Sequence, residues 1–478
     1  MNHYVRNLIR LARPTIFDNF LQVGCLFINA IFVATLGLDK VSAVGLAFTV
    51  LLVVYVFRYG ISSMTTALVS ETLPLKAGSK KKEKSLLHVW RRSKRKNTTV
   101  KGNREYKHLI SLRTKVQSRR EYRQVVTVQA IYLSVALSLV FGFLCIGFAP
   151  ELLRLYGADE QIVSIGADYL RIVGGASILS FLMATLGSAL LGIKDSKSSL
   201  HAGICMNVCQ LGLNTVLFFV HFGLVEVACA TVFSQMVGMC YLIPIVRRKI
   251  FLGTQQSWKL DGLILKRLTI QSSSIIAGGL SNEAAMFYYF RVFLPFGPDI
   301  YAGSRIVVQI KNFIMPPMVT GLASATIALV GEQYGKRDYR AVMRYCTWGI
   351  GLVTFLSVVI WLFQFFCGEW MVRFFTDDPE VLQHAGFMLS MMVIGETFWA
   401  IAFVVTGVFK GVSYTKPVFI AVSTSSVLLV SGIWLTSKYN WGWQALYYAE
   451  SAQYLCQAMI LVIWFYSRKW IKRRQLSK

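Results

Sequence analysis

The chain has 478 residues, of which 55% are hydrophobic and 13% aromatic, and 50 Lys and Arg against 23 Asp and Glu give a net charge of +27. Its mean hydropathy is +0.53, and apolar runs of about 20 residues recur from Pro14 to Tyr466, longer than a soluble core requires. A soluble protein is excluded in favour of a polytopic membrane protein. No phosphate-binding G-x-x-x-x-G-K-[ST] loop, H-E-x-x-H pair or nucleophile elbow occurs, so neither ATP-driven transport within this chain nor enzymatic catalysis is expected.

An all-α fold with twelve transmembrane helices is predicted, centred near Leu26, Val54, Ser134, Ile178, Gln210, Gln235, Ala284, Pro317, Thr354, Thr397, Ser426 and Tyr454. The first span follows Arg6, Arg10 and Arg13 and has no A-x-A cleavage site behind it, which suits a retained helix better than a secretory signal. Asp18 lies near the basic end of that span, and Asn29, eleven residues later, falls on nearly the same helical face. The second span carries Arg58 near its middle, where a guanidinium cannot easily snorkel, so a cavity or an ion pair is implied.

From Gly60 to Pro74 the chain reads GISSMTTALVSETLP, and it returns as GLASATIALVGEQYG from Gly321 to Gly335, identical at seven of fifteen positions with an offset of 261. Farther on, REYRQVV at Arg120 pairs with RDYRAVM at Arg337. The offset has fallen to 217, so the first copy carries about 44 extra residues before Arg120. The chain is a duplication with an insertion.

Between Lys76 and Arg120 the insertion holds 17 Lys and Arg against Glu83 and Glu105, a balance of +15. Its first part has little apolar content and reads as a mobile cytosolic segment. Leu109, Leu112, Val116 and Val125 have loosely helical spacing and extend the third span toward the cytosol. The functional reading of the loop is attraction to anionic lipid head groups. Nucleic acid is not expected as a partner, and the plainer alternative is a solvated insertion that reinforces topology. The sequon at Asn97 is predicted cytosolic and therefore unglycosylated.

Cys205 and Cys209, one turn apart in the fifth span, read as packing residues rather than metal ligands, because no His or further Cys converges on them. Basic residues recur at Lys194 and Lys197, Arg247 to Arg267, Lys336 to Arg344, Lys410 and Lys416, and Arg468 to Lys478, alternating with loops such as GPDIY, TDDPE and KYNWGW. Every second loop and both termini are therefore placed in the cytosol. Each half begins on the same side, so the six-helix repeats are parallel, related by an axis along the membrane normal. The expected division is residues 1–246 for the first lobe, with the insertion at 75–120, a cytosolic linker at 247–264, and residues 265–478 for the second lobe.

An ionised side chain at the bilayer centre costs about 2.5 kcal/mol or more, which makes each in-span charge a candidate for function. Glu283 in the seventh span is the first choice for a proton or Na⁺ site, against a structural pairing with Arg291 about 80° farther round the helix. In the eighth span Lys311 and Asn312 precede Pro316 and Pro317, which are expected to bend or break the helix and to expose carbonyls to a cavity. Glu396 in the tenth span is read as a coupling or cargo-binding acid, or as a hydrogen-bonded structural one. With Arg58, Arg291 and Lys311 set against two acids, the cavity is basic on balance and favours an anionic or zwitterionic cargo. Tyr288, Tyr289, Phe290, Phe398 and Trp399 either stack on a planar cargo or serve as packing.

Four segments taken together resemble the multidrug and toxic compound extrusion (MATE) transporters: RPTIFDNFLQVGCLFINAIFVATLG, AGSRIVVQIKNFIMPPMVTGLASATIALVGEQYG, FFTDDPEVL and GVFKGVSYTKP. The resemblance runs from about Arg13 to Trp464 without the insertion. It implies a V-shaped pair of lobes in the plasma membrane, acting as a monomer without a cofactor, and alternating access that exchanges a small-molecule cargo for H⁺ or Na⁺. Glu283 falls where the family has an acid implicated in coupling. Glu396 lies near another such position, although counting back from Gly407 places the family's acid at Trp399. Many relatives read V-D-T-I-F-V-G where this chain has Asn29, a residue that cannot titrate but can ligate a cation or bond a neighbouring helix. The expected function is export of drugs or other small organic molecules. A lipid or lipid-linked glycan flippase of the same superfamily is the alternative, kept open by the basic residues.

Overall fold

The computed structural model describes residues 3–73, 104–156, 159–220, 223–252, 258–376, 378–468 and 470–471. The lipid-binding expectation for the basic loop and the Asn97 sequon lie mainly outside them. The described elements are helical. In the first half they are α1 (His3–Ala34), α2 (Leu38–Ser70), α3 (Arg104–Gly147), α4 (Ala149–Arg154), α5 (Glu160–Gly175), α6 (Ser177–Gly192), α7 (Ser196–Phe219) and α8 (Leu224–Val246). In the second they are α9 (Gly262–Phe293), α10 (Pro298–Gly335), α11 (Tyr339–Arg373), α12 (Pro379–Gly411), α13 (Lys416–Lys438) and α14 (Gln444–Tyr466). Helix α3 starts inside the insertion and runs unbroken for 44 residues into the third span.

Among the described residues nine helices are long and apolar enough to cross a membrane, and α5 with α6, bent by 41° at their junction, forms a tenth crossing. Helices α9 and α14, 32 and 23 residues long, complete the twelve. They are more polar than the other ten, and the reason is local. They carry Asn282, Tyr289, Glu450 and Gln453, which bond one another or Lys311 inside the second lobe.

Helix α10 continues through Pro316 and Pro317, so the break expected there does not occur. Support comes from outside the helix. Asn19 of α1 donates to Pro317 O at 3.1 Å and to Thr320 Oγ1 at 2.8 Å, and Thr320 Oγ1 donates to Pro316 O at 2.6 Å. The carbonyls of both prolines are thus held by protein side chains.

The repeated fifteen-residue motif is the seam between the lobes, and its opening glycines explain why. A Cβ on Gly60 of α2 would lie 2.6 Å from Ile276 Cγ1 of α9, and one on Gly321 of α10 would lie 2.5 Å from Ile16 Cγ1 of α1. Each lobe's second span therefore receives an isoleucine from the first span of the other, and only a residue without a side chain permits that approach. The basic-end half of α1 is also seated in the second lobe's core, where Leu8, Leu11 and Ala12 pack with Leu329, Tyr345 and Phe409.

The motif's glutamates close the basic end in the same reciprocal way. Glu71 accepts two bonds from Arg267 of α9, at 3.1 and 3.2 Å, and one from Ser413 Oγ at 2.6 Å, while Arg267 also donates to Tyr122. Glu332 of α10 pairs with Lys194 from the first lobe and with Lys336, which caps the end of its own helix. Lys194 and Ser413 occupy equivalent turns after α6 and α12, and both have left-handed backbones, with φ of 66° and 52°. At the opposite end the lobes meet through edge-on ring pairs, Tyr156 with Phe287 and Phe27 with Phe375.

Candidate functional site

The second lobe buries a charged cluster between α10, α12 and α14. Lys311 Nζ donates to Glu450 Oε1 at 2.9 Å, Tyr454 OH donates to the same oxygen at 3.3 Å, and Tyr289 OH donates to Glu450 Oε2 at 3.1 Å. The ammonium also lies 5.5 Å from the centre of the Tyr454 ring. Both partners are largely withdrawn from solvent, with side-chain exposures of 13% and 6%. Low dielectric makes such a pair strong while it is intact and costly to break.

Glu396 completes the cluster from α12, close enough to Lys311 and Glu450 for their charges to act on it. It is 3% exposed, and its Oε1 has no hydrogen-bond partner among the described residues. Gln364 of α11 is buried beside it, near enough for its amide to act on the carboxylate but with neither amide atom in good hydrogen-bond geometry. A fully paired lysine and glutamate thus stand beside an acid that retains a free oxygen. One lysine serves two carboxylates, a setting in which the second gains stability by taking a proton or a small cation.

Glu283 lies elsewhere. It shares a stripe of α9 with Ile276, Gly279 and Phe287, the residues that touch the first lobe at Gly60, Val56 and Tyr156. It is half-buried and forms no ion pair with Arg291, which is exposed on α9. The structure therefore puts Glu283 at the seam between lobes and Glu396 inside the second lobe. Tyr288 is half-buried and Asn312 exposed.

Trp399, one turn beyond Glu396, packs on Phe403 with ring centres 5.2 Å apart, and Phe403 lies 6.3 Å from Tyr59 of α2. Lys410 of α12 is 2% exposed and donates to Tyr59 OH at 3.0 Å, with its ammonium 4.1 Å from the ring centre. A line of aromatic rings thus connects the acid cluster to the lobe seam.

The interior of the first lobe is polar. Asn29, 8% exposed, accepts from Asn214 Nδ2 of α7 at 2.8 Å, and Gln210 donates to Thr231 of α8 at 3.2 Å. Arg58 is half-buried with its guanidinium 4.3 Å from the Tyr55 ring centre. Among the described residues it has no anionic partner, in contrast to Lys311, and Arg291, the third basic residue foreseen for the cavity, is exposed on α9, so the three differ in kind.

Against this geometry, the MatE family model matches residues 14–84, 117–216 and 280–435. The chain belongs to the MatE family. The matched segments leave out residues 85–116, the greater part of the basic insertion. A probable multidrug resistance protein NorM of Thermotoga maritima is 21% identical over 490 residues, covering 99% of this chain and 94% of that one. The probable multidrug resistance protein YpnP of Bacillus subtilis is 22% identical, covering 85% and 82%. Two solved structures share the fold over 98% of this chain and 96% of theirs at 16% identity. One is a MOP superfamily transporter from Pyrococcus furiosus with a TM-score of 0.83, and the other is a multidrug resistance MATE family transporter in an outward-facing conformation with a TM-score of 0.82. The chain is thus an all-α, multi-pass MatE membrane protein with twelve spans in two parallel six-helix repeats.

Glu450, which holds the cluster together, was not among the acids picked out from the sequence. The signal was present: Glu450 lies four residues from the predicted centre of the twelfth span at Tyr454. An in-span acid at that depth needs a partner, and Lys311 was in need of one.

Proposed function

We propose that the protein is a secondary active exporter, moving small organic molecules out of the cell in exchange for H⁺ or Na⁺, with ion coupling in the second lobe. The observation that carries this reading is the buried Glu396, whose Oε1 lacks a partner beside the closed Lys311–Glu450 pair. Binding of a cation there changes the charge balance around Lys311 and so the packing of α10, α12 and α14. Trp399, Phe403 and Tyr59 connect that packing to the seam. Glu283 is the second coupling candidate, supported by its position on the stripe of α9 that faces the first lobe.

By the excess of Lys and Arg, the end sealed by Glu71 and Glu332 is the cytosolic one, and the membrane is the plasma membrane. Membership of the MatE family and the multidrug resistance names of its relatives support the cargo class. Transport assayed in proteoliposomes with cationic and anionic dyes, under imposed H⁺ or Na⁺ gradients, tests the proposal. Export that follows neither gradient for either dye sinks it.

One observation favours a second reading. Arg58 has no anionic partner among the described residues, and an uncompensated guanidinium in a polar lobe suits an anionic group on the cargo. A flippase for lipid or lipid-linked glycan would use it for a phosphate. Flipping of a fluorescent anionic lipid, lost in Arg58→Gln, is the outcome that selects this reading.

A further inference from the structure

Along the contact between α1 and α7, polar or small residues recur with one spacing on both helices: Asp18, Gln22, Cys25 and Asn29 on α1, and Gly203, Asn207, Gln210 and Asn214 on α7. Steps of four, three and four residues keep each set on one helical face. As first and fifth spans the helices run parallel, and two contacts fix their register. Asn214 bonds Asn29 at 2.8 Å, and Gly203 lies so close to Asp18 that a Cβ would overlap Oδ1.

Asp18 is poorly satisfied in this seam. Gln22 donates to Oδ2 at 3.3 Å, while Oδ1 is buried without a hydrogen-bond partner among the described residues. Asn207, one step along α7, is 4% exposed with its Nδ2 also buried and unused. The ionisable groups on the packed helices are engaged elsewhere or lie apart. His201 of α7 meets Tyr241, Tyr59 of α2 takes the Lys410 bond, Tyr345 of α11 bonds Asn7, and Arg58 lies on Tyr55. Lys197, Cys205, Cys25, Arg13 and Cys346 make no bond to Asp18, and α10 has no ionisable residue between Lys311 and Glu332. Asp18 as a whole is half-buried; its Oδ1 is sealed against α7 while Oδ2 stays on Gln22 toward the more open side.

The geometry points to Asp18 as a proton-exchange site of the first lobe, built on the α1–α7 seam and separate from Asn29 and from the acids of the second lobe. A carboxylate oxygen sealed from water without a donor is stabilised by a proton on the group. When α1 and α7 part, water reaches Oδ1, the acid gives its proton to that water, and the exposed carboxylate accepts the Asn207 amide. When the helices close, the carboxylate takes a proton back, and Oδ1 is sealed in the neutral acid. Gly203 is what allows the closure, since a side chain there would hold the helices apart. The role in transport rests on the exporter reading, whereas proton binding does not.

The test is difference infrared spectroscopy of the full chain in lipid vesicles, following the carboxylic-acid C=O band as pH is varied across neutrality. The wild type is expected to show a titrating component that disappears in Asp18→Asn and survives in Glu396→Gln and Glu283→Gln. Gly203→Ala, which keeps the acid but wedges the seam, is expected to move the midpoint of that component, so the result does not hang on one variant. A band unchanged by Asp18→Asn and by Gly203→Ala overturns the proposal. If the Asp18 component titrates while no gradient drives any dye, the exporter reading fails and the proton site stands.

Discussion

Gly60 and Gly321, 261 residues apart, are filled in the same manner from opposite lobes, one by Ile276 and the other by Ile16. The duplication therefore repeats an interface as well as a sequence. Whatever opens the basic end must withdraw two isoleucines and break two glutamate contacts, Glu71 with Arg267 and Glu332 with Lys194.

Gly60→Val and Gly321→Val are each expected to lower thermal stability by about 1–3 kcal/mol, the usual cost of overpacking a tight contact. Gly351→Ala is the control. Nothing lies within 4 Å of a Cβ at that position, and alanine in a helix is favoured over glycine by about 1 kcal/mol. A melting temperature unchanged in both valine variants removes the reciprocal seam as the contact that holds the lobes.

Removing Lys311 is expected to cost about 3–5 kcal/mol, because Glu450 is left buried without a counter-charge, and removing Glu450 is expected to cost less, because Glu396 still stands beside Lys311. Lys311→Met combined with Glu450→Gln is expected to recover part of that loss. A double-mutant cycle on unfolding measures the coupling, and additive effects would show that the pair contributes nothing jointly.

The reciprocal latch predicts unequal losses. Glu71→Gln weakens the two bonds from Arg267 Nη2 and gives the donating Ser413 hydroxyl a poorer acceptor, whereas Glu332→Gln frees Lys194 and Lys336 together. Exchanging the charges, Glu332→Lys with Lys194→Glu, is expected to restore much of the stability lost in Glu332→Lys alone. Thermal melting of the wild type, Glu332→Lys and the exchanged pair reads the latch, and an exchanged pair no more stable than Glu332→Lys alone counts against it.

Asp195 caps α7 from a loop outside the spans, and its acidity carries a pH prediction. Burial acts to raise its pKa, but bonds from Lys249 and Ser198 outweigh that and hold it below the ordinary value. A depressed carboxylate contributes stability above its unfolded pKa of about 3.9, and loses it as pH falls through the lower folded value. Asp195→Asn is therefore expected to destabilise the protein at neutral pH and to flatten the acid limb of its melting profile. An acid limb as steep as the wild type's refutes the assignment.

Much of this architecture was legible because the bilayer imposes a length and a hydropathy on each span, and because the duplicated segment kept seven identities. The legible part ends where polarity is paid back by a partner distant in sequence. Glu450 stands alone in its span, and what gives it meaning is Lys311, 139 residues earlier. Pro316 and Pro317 suggested a broken helix, since the sequence cannot show that α1 lies along that turn with Asn19 bonded to it. Asp18 is readable as an acid near the basic end of its span, but the glycine that encloses it is on another helix.

Gradient-driven export by Glu396→Gln in proteoliposomes bears most directly on coupling in the second lobe, assayed beside the wild type and Glu283→Gln with the same dyes. The expected result is folded, bilayer-inserted Glu396→Gln that still binds dye but loses gradient-driven export by about tenfold or more, equivalent to about 1.4 kcal/mol of coupling. Gradient-driven export at the wild-type rate in both Glu396→Gln and Glu283→Gln would contradict it.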